Sequence, residues 1–127
     1  MPQLAKAAIF TEPGKPMVID SIELDDPQPK EILVRVIASG VCHTDFGVQH
    51  MLPKPMILGH EGSGIVEKIG KNISTVSVGD KVVLTFGSCG VCPCCKENNH
   101  AYCDKLRDYQ FSGKRIDGSS TIYKSNY

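Results

Sequence analysis

Five of the six cysteines fall between positions 89 and 103, in the order Cys89-Gly-Val-Cys92-Pro-Cys94-Cys95, then seven residues, then Cys103. Cys89, Cys92, Cys95 and Cys103 make a C-x2-C-x2-C-x7-C array, and four thiolates suit a closed tetrahedral zinc site. Two residues between ligands let the backbone turn around one ion, Gly90 eases that turn, and Asn98-Asn99 supply turn-forming residues in the return. An iron–sulfur cluster also takes four cysteines, but at other spacings, and a redox Cys-x-x-Cys needs only two. Cys94 breaks the register and is expected to be a free thiol. His100, a fifth candidate donor, reads as a polar loop histidine because a closed site is already full.

A second constellation surrounds the remaining cysteine. Cys42-His43-Thr44-Asp45 is followed eighteen positions after Cys42 by His60, within Gly59-His60-Glu61-Gly62-Ser63-Gly64. A Cys thiolate and a His imidazole are two of the three protein ligands of an open, Cys₂His-type catalytic zinc site. Asp45 and Glu61 are carboxylates placed to fix the histidine tautomer through its free ring N–H. A lone Cys is often a small core hydrophobe. Against that, Gly59, Gly62, Gly64 and Gly70 imply close backbone approach around one point.

The elements that must position these groups are mostly strands. Lys6–Phe10, Met17–Leu24, Glu31–Ser39, Ser63–Ile69 and Lys81–Phe86 are β-branched and aliphatic runs, and Pro- and Gly-rich turns separate them. Thr121-Ile122-Tyr123 reads as the start of another strand, after a polar loop at 113–120. The expected class is mainly β, a sandwich or barrel. The only helix-like stretch lies near Thr44–His50. No Walker motif is present, and Glu67 stands where the third glycine of a G-x-G-x-x-G fingerprint starting at Gly62 belongs.

Composition narrows the function classes. Fourteen basic residues balance fourteen acidic ones in 127 residues, which disfavours nucleic-acid or membrane-surface binding through net charge. No apolar run approaches the ~18 residues of a membrane span, and the N-terminus is not a secretory signal. With cysteines clustered for metal rather than spread as a disulfide frame, the expected compartment is cytoplasmic.

These motifs together resemble the N-terminal catalytic domain of the zinc-dependent, medium-chain alcohol dehydrogenases. Gly59, His60, Glu61, Gly64, Gly70 and Ile73 supply the signature Gly-His-Glu-x2-Gly-x5-Gly-x2-aliphatic. Gly79-Asp80-Lys81-Val82-Val83 matches a further family element, and the four-Cys array matches the structural zinc loop. The likeness runs from about Lys6 to Asp117. It implies a GroES-like β-barrel with a structural-zinc lobe and little helix. It implies that Cys42 and His60 bind a catalytic zinc with Glu61 close by, and that Asp45 hydrogen-bonds His60. Thr44 would hold the alcohol hydroxyl and start the proton relay, and His43 would face the cofactor phosphates. Many relatives carry a relay histidine five positions after the zinc cysteine; Gly47 stands there, and His50 is not assigned that role. His100-Ala101-Tyr102-Cys103 and Phe111–Ser119 are similar to the aryl- or benzyl-alcohol branch.

Family members extend well beyond this length. The third zinc ligand, the nicotinamide-binding Rossmann domain and the usual dimer contact all lie past Tyr127 in them. The expectation is therefore that residues 1–127 are a truncated catalytic domain, inactive alone. The full-length enzyme is expected to be a homo-oligomer that oxidises alcohols to aldehydes with NAD or NADP. Two rivals remain. A non-enzymatic zinc-binding interaction module would account for the four-Cys lobe but not for Cys42 and His60. A zinc-free quinone-reductase relative would have neither.

Overall fold

In a computed structural model, which describes residues 3–123, the β-rich runs become seven strands. They are β1 (Gln3–Phe10), β2 (Val18–Leu24), β3 (Ile32–Ser39), β4 (Met56–Ile57), β5 (Gly62–Ile69), β6 (Lys81–Val83) and β7 (Ile122–Tyr123). The described strands form two antiparallel sheets, one in the order β4-β1-β2-β7 and one in the order β3-β5-β6. β1 pairs with β2 from Gln3↔Leu24 to Ile9↔Val18, and its end also pairs with β4 through Ile9↔Ile57. Ile9, Phe10 and Ile22 from the first sheet are buried, as are Val66 of β5 and Leu52 of the intervening loop. Burying such side chains contributes about 1.5–3 kcal/mol each.

β3 and β5 carry the second centre. Their register runs from Ile32↔Ile69 to Ser39↔Gly62, so β3 delivers the chain to Cys42 just where β5 leaves His60-Glu61. Gly64 lies within this ladder, where a Cβ would overlap the Arg35 carbonyl oxygen.

Three short helices complete the described fold: α1 (His43–Gly47), α2 (Pro93–Lys96) and α3 (Leu106–Phe111), with 3-10 turns at Gln49–Met51 and His100–Tyr102. The helix expected near Thr44–His50 is α1 and its following turn. α2 and α3 were not expected. Each is only one or two turns long, too short for a 3.6-residue period to stand out. The strand expected over Lys81–Phe86 ends at Val83. Leu84 N–H still donates to Gly62 O at 2.8 Å, but β5 begins there, so residues beyond Leu84 meet no β5 partner.

The polar loop at 113–120 is held by one side chain. Arg115 reaches Glu31 with Nε–Oε1 at 2.7 Å and Nη2–Oε2 at 2.9 Å, a bidentate pair. Its Nη1 also donates to Asp25 Oδ2 at 3.1 Å and to Ser120 O at 3.0 Å. This ties the segment ahead of β7 to the ends of β2 and β3. Among the described residues no helix is long and apolar enough to cross a membrane.

Candidate metal centres

The four-Cys array closes on itself. Cys89, Cys92, Cys95 and Cys103 place their sulfurs within 4.8 Å of one another. Cys89 Sγ and Cys95 Sγ are 3.9 Å apart, and the edge of a tetrahedron with Zn–S bonds of 2.3 Å is ~3.8 Å. The local backbone explains the convergence. Gly90, at φ +72°, turns the chain after Cys89, and Asn98, at φ +61°, turns it after α2. Pro93 opens α2, its fixed φ suited to a first helical turn.

Backbone N–H groups already point at the sulfurs. Val91 and Cys92 donate to Cys89 Sγ at 3.5 and 3.3 Å, and Cys89 and Lys105 donate to Cys103 Sγ at 3.3 and 3.4 Å. The Val91 and Cys92 donors pull the Cys89 thiol down to about 6. Burial pushes the Cys95 thiol up to about 12. A cation among four such sulfurs reverses that second effect, because coordination deprotonates a thiol outright. The donor set fits a structural zinc. Cys94 does not join the quartet, and burial raises its thiol. His100 also stays outside it, exposed, with Nδ1 3.3 Å from Ser88 Oγ.

The second centre forms where β3 and β5 end. Cys42 Sγ, a ring nitrogen of His60 and a carboxylate oxygen of Glu61 lie within 4.8 Å of one another. Cys42 is the N-cap of α1, and its N–H donates to Asp45 Oδ2 at 2.9 Å. The other Asp45 oxygen lies 3.2 Å from His60 Nδ1, which leaves Nε2 to face the donors; Glu61 Oε1 is 3.7 Å from Nε2. Asp45 is buried. Cys42 Sγ is 3.5 Å from Thr44 Oγ1. Hydrogen bonds from the Thr44 hydroxyl, from the Thr44 backbone N–H and from His60 lower the Cys42 thiol. The facing Cys42 sulfur, offset in part by desolvation and reinforced by Asp45, raises His60. A thiol already inclined to ionise suits metal binding, which requires the thiolate.

Beside this centre is a cavity of about 150 Å³. Thr44, Asp45, His60 and Gln110 form its polar wall, and Val48, Leu52, Met56 and Phe111 are among its apolar lining. His43, the first residue of α1, is exposed and lies next to Cys42 in the chain.

A family model for the alcohol dehydrogenase GroES-like domain matches residues 28–124, a span that contains both centres. The chain belongs to that family. This alcohol dehydrogenase GroES-like domain superposes on a benzyl alcohol dehydrogenase from Acinetobacter calcoaceticus with a TM-score of 0.91 at 40% identity, covering 94% of this chain and 34% of that one. It superposes on an alcohol dehydrogenase zinc-binding domain protein from Burkholderia ambifaria with a TM-score of 0.95 at 38% identity, covering 98% of this chain and 35% of that one. In sequence it is 37% identical over 121 residues to a geraniol dehydrogenase from Castellaniella defragrans, covering 93% of this chain and 32% of that protein. The chain thus spans about a third of the length of these relatives.

The geometry of the GroES-like domain corrects one sequence inference. Gly59, Gly62, Gly64 and Gly70 do not gather around one point. A Cβ at Gly64 would strike β3, one at Gly70 would strike the Gln28–Pro29 turn, and one at Gly62 would meet Leu84 Cδ1 at 3.0 Å. Gly62, Gly64 and Gly70 mark successive close approaches along β5 and just past its end, whereas Gly59 stands at a positive φ of 138° with only an ordinary contact to Ser39 Oγ. Of the cavity lining, the sequence pointed to Thr44, Asp45 and His60 but to none of the apolar residues as lining. Leu52, Met56 and Phe111 come from three separate segments, and no local spacing connects them. Glu61 was read as a neighbour of the centre, and the fold brings its carboxylate to donor distance.

Proposed function

We propose that this chain forms the alcohol-binding part of a zinc-dependent dehydrogenase, which oxidises primary alcohols, aromatic ones among them, to aldehydes with NAD or NADP. The observation that carries this reading is the convergence of Cys42, His60 and Glu61 beside a cavity with Thr44 on its polar wall and Leu52, Met56 and Phe111 on its apolar one. Zinc bound there supplies a Lewis acid that polarises the alcohol oxygen and lowers its pKa. Cys42 and His60 hold the metal, and Asp45 fixes the His60 tautomer so that Nε2 is the donor. The exposed Thr44 hydroxyl takes the alcohol proton and hands it to solvent. His43 faces the phosphates of the cofactor. The apolar wall holds the carbon skeleton. A cavity of about 150 Å³ with Phe111 and Leu52 on its wall supports a small aryl-methyl alcohol, and the named substrates of the geraniol and benzyl alcohol relatives support a primary one.

The whole enzyme is proposed to be a cytoplasmic homo-oligomer. The 127 residues alone are proposed to be inactive, since the nucleotide fingerprint is missing from them. An interaction module is disfavoured, because nothing in such a role calls for the Asp45–His60–Cys42 arrangement.

A chimera tests the reading. This chain replaces the corresponding N-terminal third of the Acinetobacter benzyl alcohol dehydrogenase. Benzyl-alcohol-dependent cofactor reduction, abolished by Thr44→Val, is the expected result. A folded chimera carrying zinc at both centres but inert toward every primary alcohol tried would overturn it.

A further inference from the structure

The position of Glu61 depends on a residue the proposed chemistry does not use. Gly40 lies one step beyond the last β3–β5 pair, Ser39↔Gly62, and so stands directly opposite Glu61. Its N–H donates to Glu61 O at 3.0 Å, which extends the ladder by one rung. Residues directly opposite in an antiparallel pair point to the same face, with Cβ atoms normally about 4.5–5.5 Å apart. Here a Cβ on Gly40 would sit 3.2 Å from both Cβ and Cδ of Glu61 and would overlap its Oε2. The Glu61 side chain therefore lies folded across the space a side chain at position 40 would fill. Gly40 has no positive φ, so backbone conformation does not demand glycine there. The demand is for room.

We propose that Gly40 is the positioning residue that lets the Glu61 carboxylate lie against the Cys42–His60 pair, where it serves as the third protein donor of this chain. The inference rests on the metal centre proposed above and adds a condition to it: the third donor is in place only while position 40 lacks a side chain. The atom in the way is the far end of a flexible side chain, so Gly40→Ala is accommodated by rotating Glu61, with a few tenths of an ångström of give between the strands. The fold survives and the donor is displaced.

Cobalt(II) is the probe, titrated into the 127-residue chain with zinc retained in the four-Cys lobe. Binding at the second centre is read as the thiolate-to-cobalt absorption missing in Cys42→Ser. Gly40→Ala is expected to weaken cobalt binding about tenfold or more, the usual scale for losing a group that orients or completes a metal site, with an unchanged circular dichroism spectrum. Glu61→Ala should weaken it comparably. In the Glu61→Ala background, Gly40→Ala should add nothing, since sites acting through one group are not additive. An equal loss from Gly40→Ala in both backgrounds overturns the proposal. A second measurement needs no metal. A crystal structure of Gly40→Ala should show the β3–β5 ladder intact and the Glu61 carboxylate swung away. A carboxylate still in place overturns the role of Gly40 whatever cobalt does, whereas cobalt absorption indifferent to Cys42→Ser overturns the metal centre itself.

Discussion

Asp45 Oδ1 lies 3.2 Å from His60 Nδ1, while Oδ2 of the same carboxylate accepts the Cys42 N–H at 2.9 Å. One buried side chain therefore sets both the entry of α1, which carries the cysteine, and the ring orientation of the histidine delivered by the other strand. Cys42 and His60 are eighteen residues apart, and Asp45 is the bracket that fixes their mutual geometry.

Asp45→Asn is accordingly expected to cost more in metal binding than in folding. The amide retains one acceptor but cannot serve both partners as a carboxylate does. Cobalt affinity at the second centre should fall about 10- to 100-fold, while loss of the cap interaction lowers stability by about 1 kcal/mol. Zinc in the four-Cys lobe should be unaffected and serves as the internal control. Parallel metal titration and urea melts check both figures. An unaltered cobalt affinity would remove Asp45 from the centre.

The Arg115–Glu31 pair makes a second prediction. The Arg115 side chain is 9% exposed and that of Glu31 32%. Arg115→Ala leaves a half-buried carboxylate unpaired, at a cost of about 2 kcal/mol, less than for a fully buried pair because water still reaches Glu31. Arg115→Lys should recover little, since an ammonium cannot reproduce the fork. The hydrogen bond from Arg115 is the largest cause that lowers Glu31 from the ordinary value of 4.5, and burial opposes it. A carboxylate lowered in the folded state contributes stability above its unfolded pKa and loses it as pH falls through the folded one. The stability gap between wild type and Arg115→Ala should thus be full at neutral pH and close progressively below pH 4.5. Urea melts across that range, each taken as a difference between the two proteins, would test it, because acid release of zinc is common to both.

What the sequence disclosed and what it concealed differ in physical kind. The zinc quartet was legible because its ligands sit within one short loop, where spacing nearly dictates geometry. His60 and Cys42 were legible from their residue types, from the carboxylates Asp45 and Glu61 beside them and from the Gly-His-Glu signature, although Gly62 and Gly64 after His60 serve strand packing rather than the centre. Long β-branched runs such as Ile32–Ser39 declared themselves as strands. Gly40 was invisible as a positioning residue, since its role appears only once β3 and β5 are in register. Arg115 and Glu31 are 84 positions apart, and no periodicity links them. β4 is two residues long, and only its pairing with Ile9 and Phe10 defines it as a strand.

Cys94 separates zinc stoichiometry from cysteine count. Its sulfur stands outside the quartet, so Cys94→Ser should retain the full zinc content of the reduced chain. Cys95→Ser, which removes a buried ligand, should lose one equivalent and with it the fold of residues 89–103. Metal analysis after desalting reads the first effect, and amide exchange in the loop reads the second. Loss of zinc from Cys94→Ser would mean the quartet has been misassigned.

Two glycines should respond to the same substitution with opposite signs. At Gly64 a Cβ would overlap the Arg35 carbonyl oxygen and crowd Val34 Cγ1, both in the paired strand β3. Backbone cannot rotate out of the way, so Gly64→Ala must push β3 and β5 apart across the ladder that holds β3 among the described residues. Overpacking of this kind costs about 1–3 kcal/mol or more. At Gly47, the last residue of α1, a Cβ would meet nothing within 4 Å, and the backbone φ is not positive. Gly47→Ala therefore reduces the entropy of the unfolded chain without a clash and should stabilise by about 0.4–1 kcal/mol. Urea midpoints for the two alanine variants decide the matter. A stabilised Gly64→Ala would contradict the close approach of β3 and β5, and a destabilised Gly47→Ala would contradict the open face of α1.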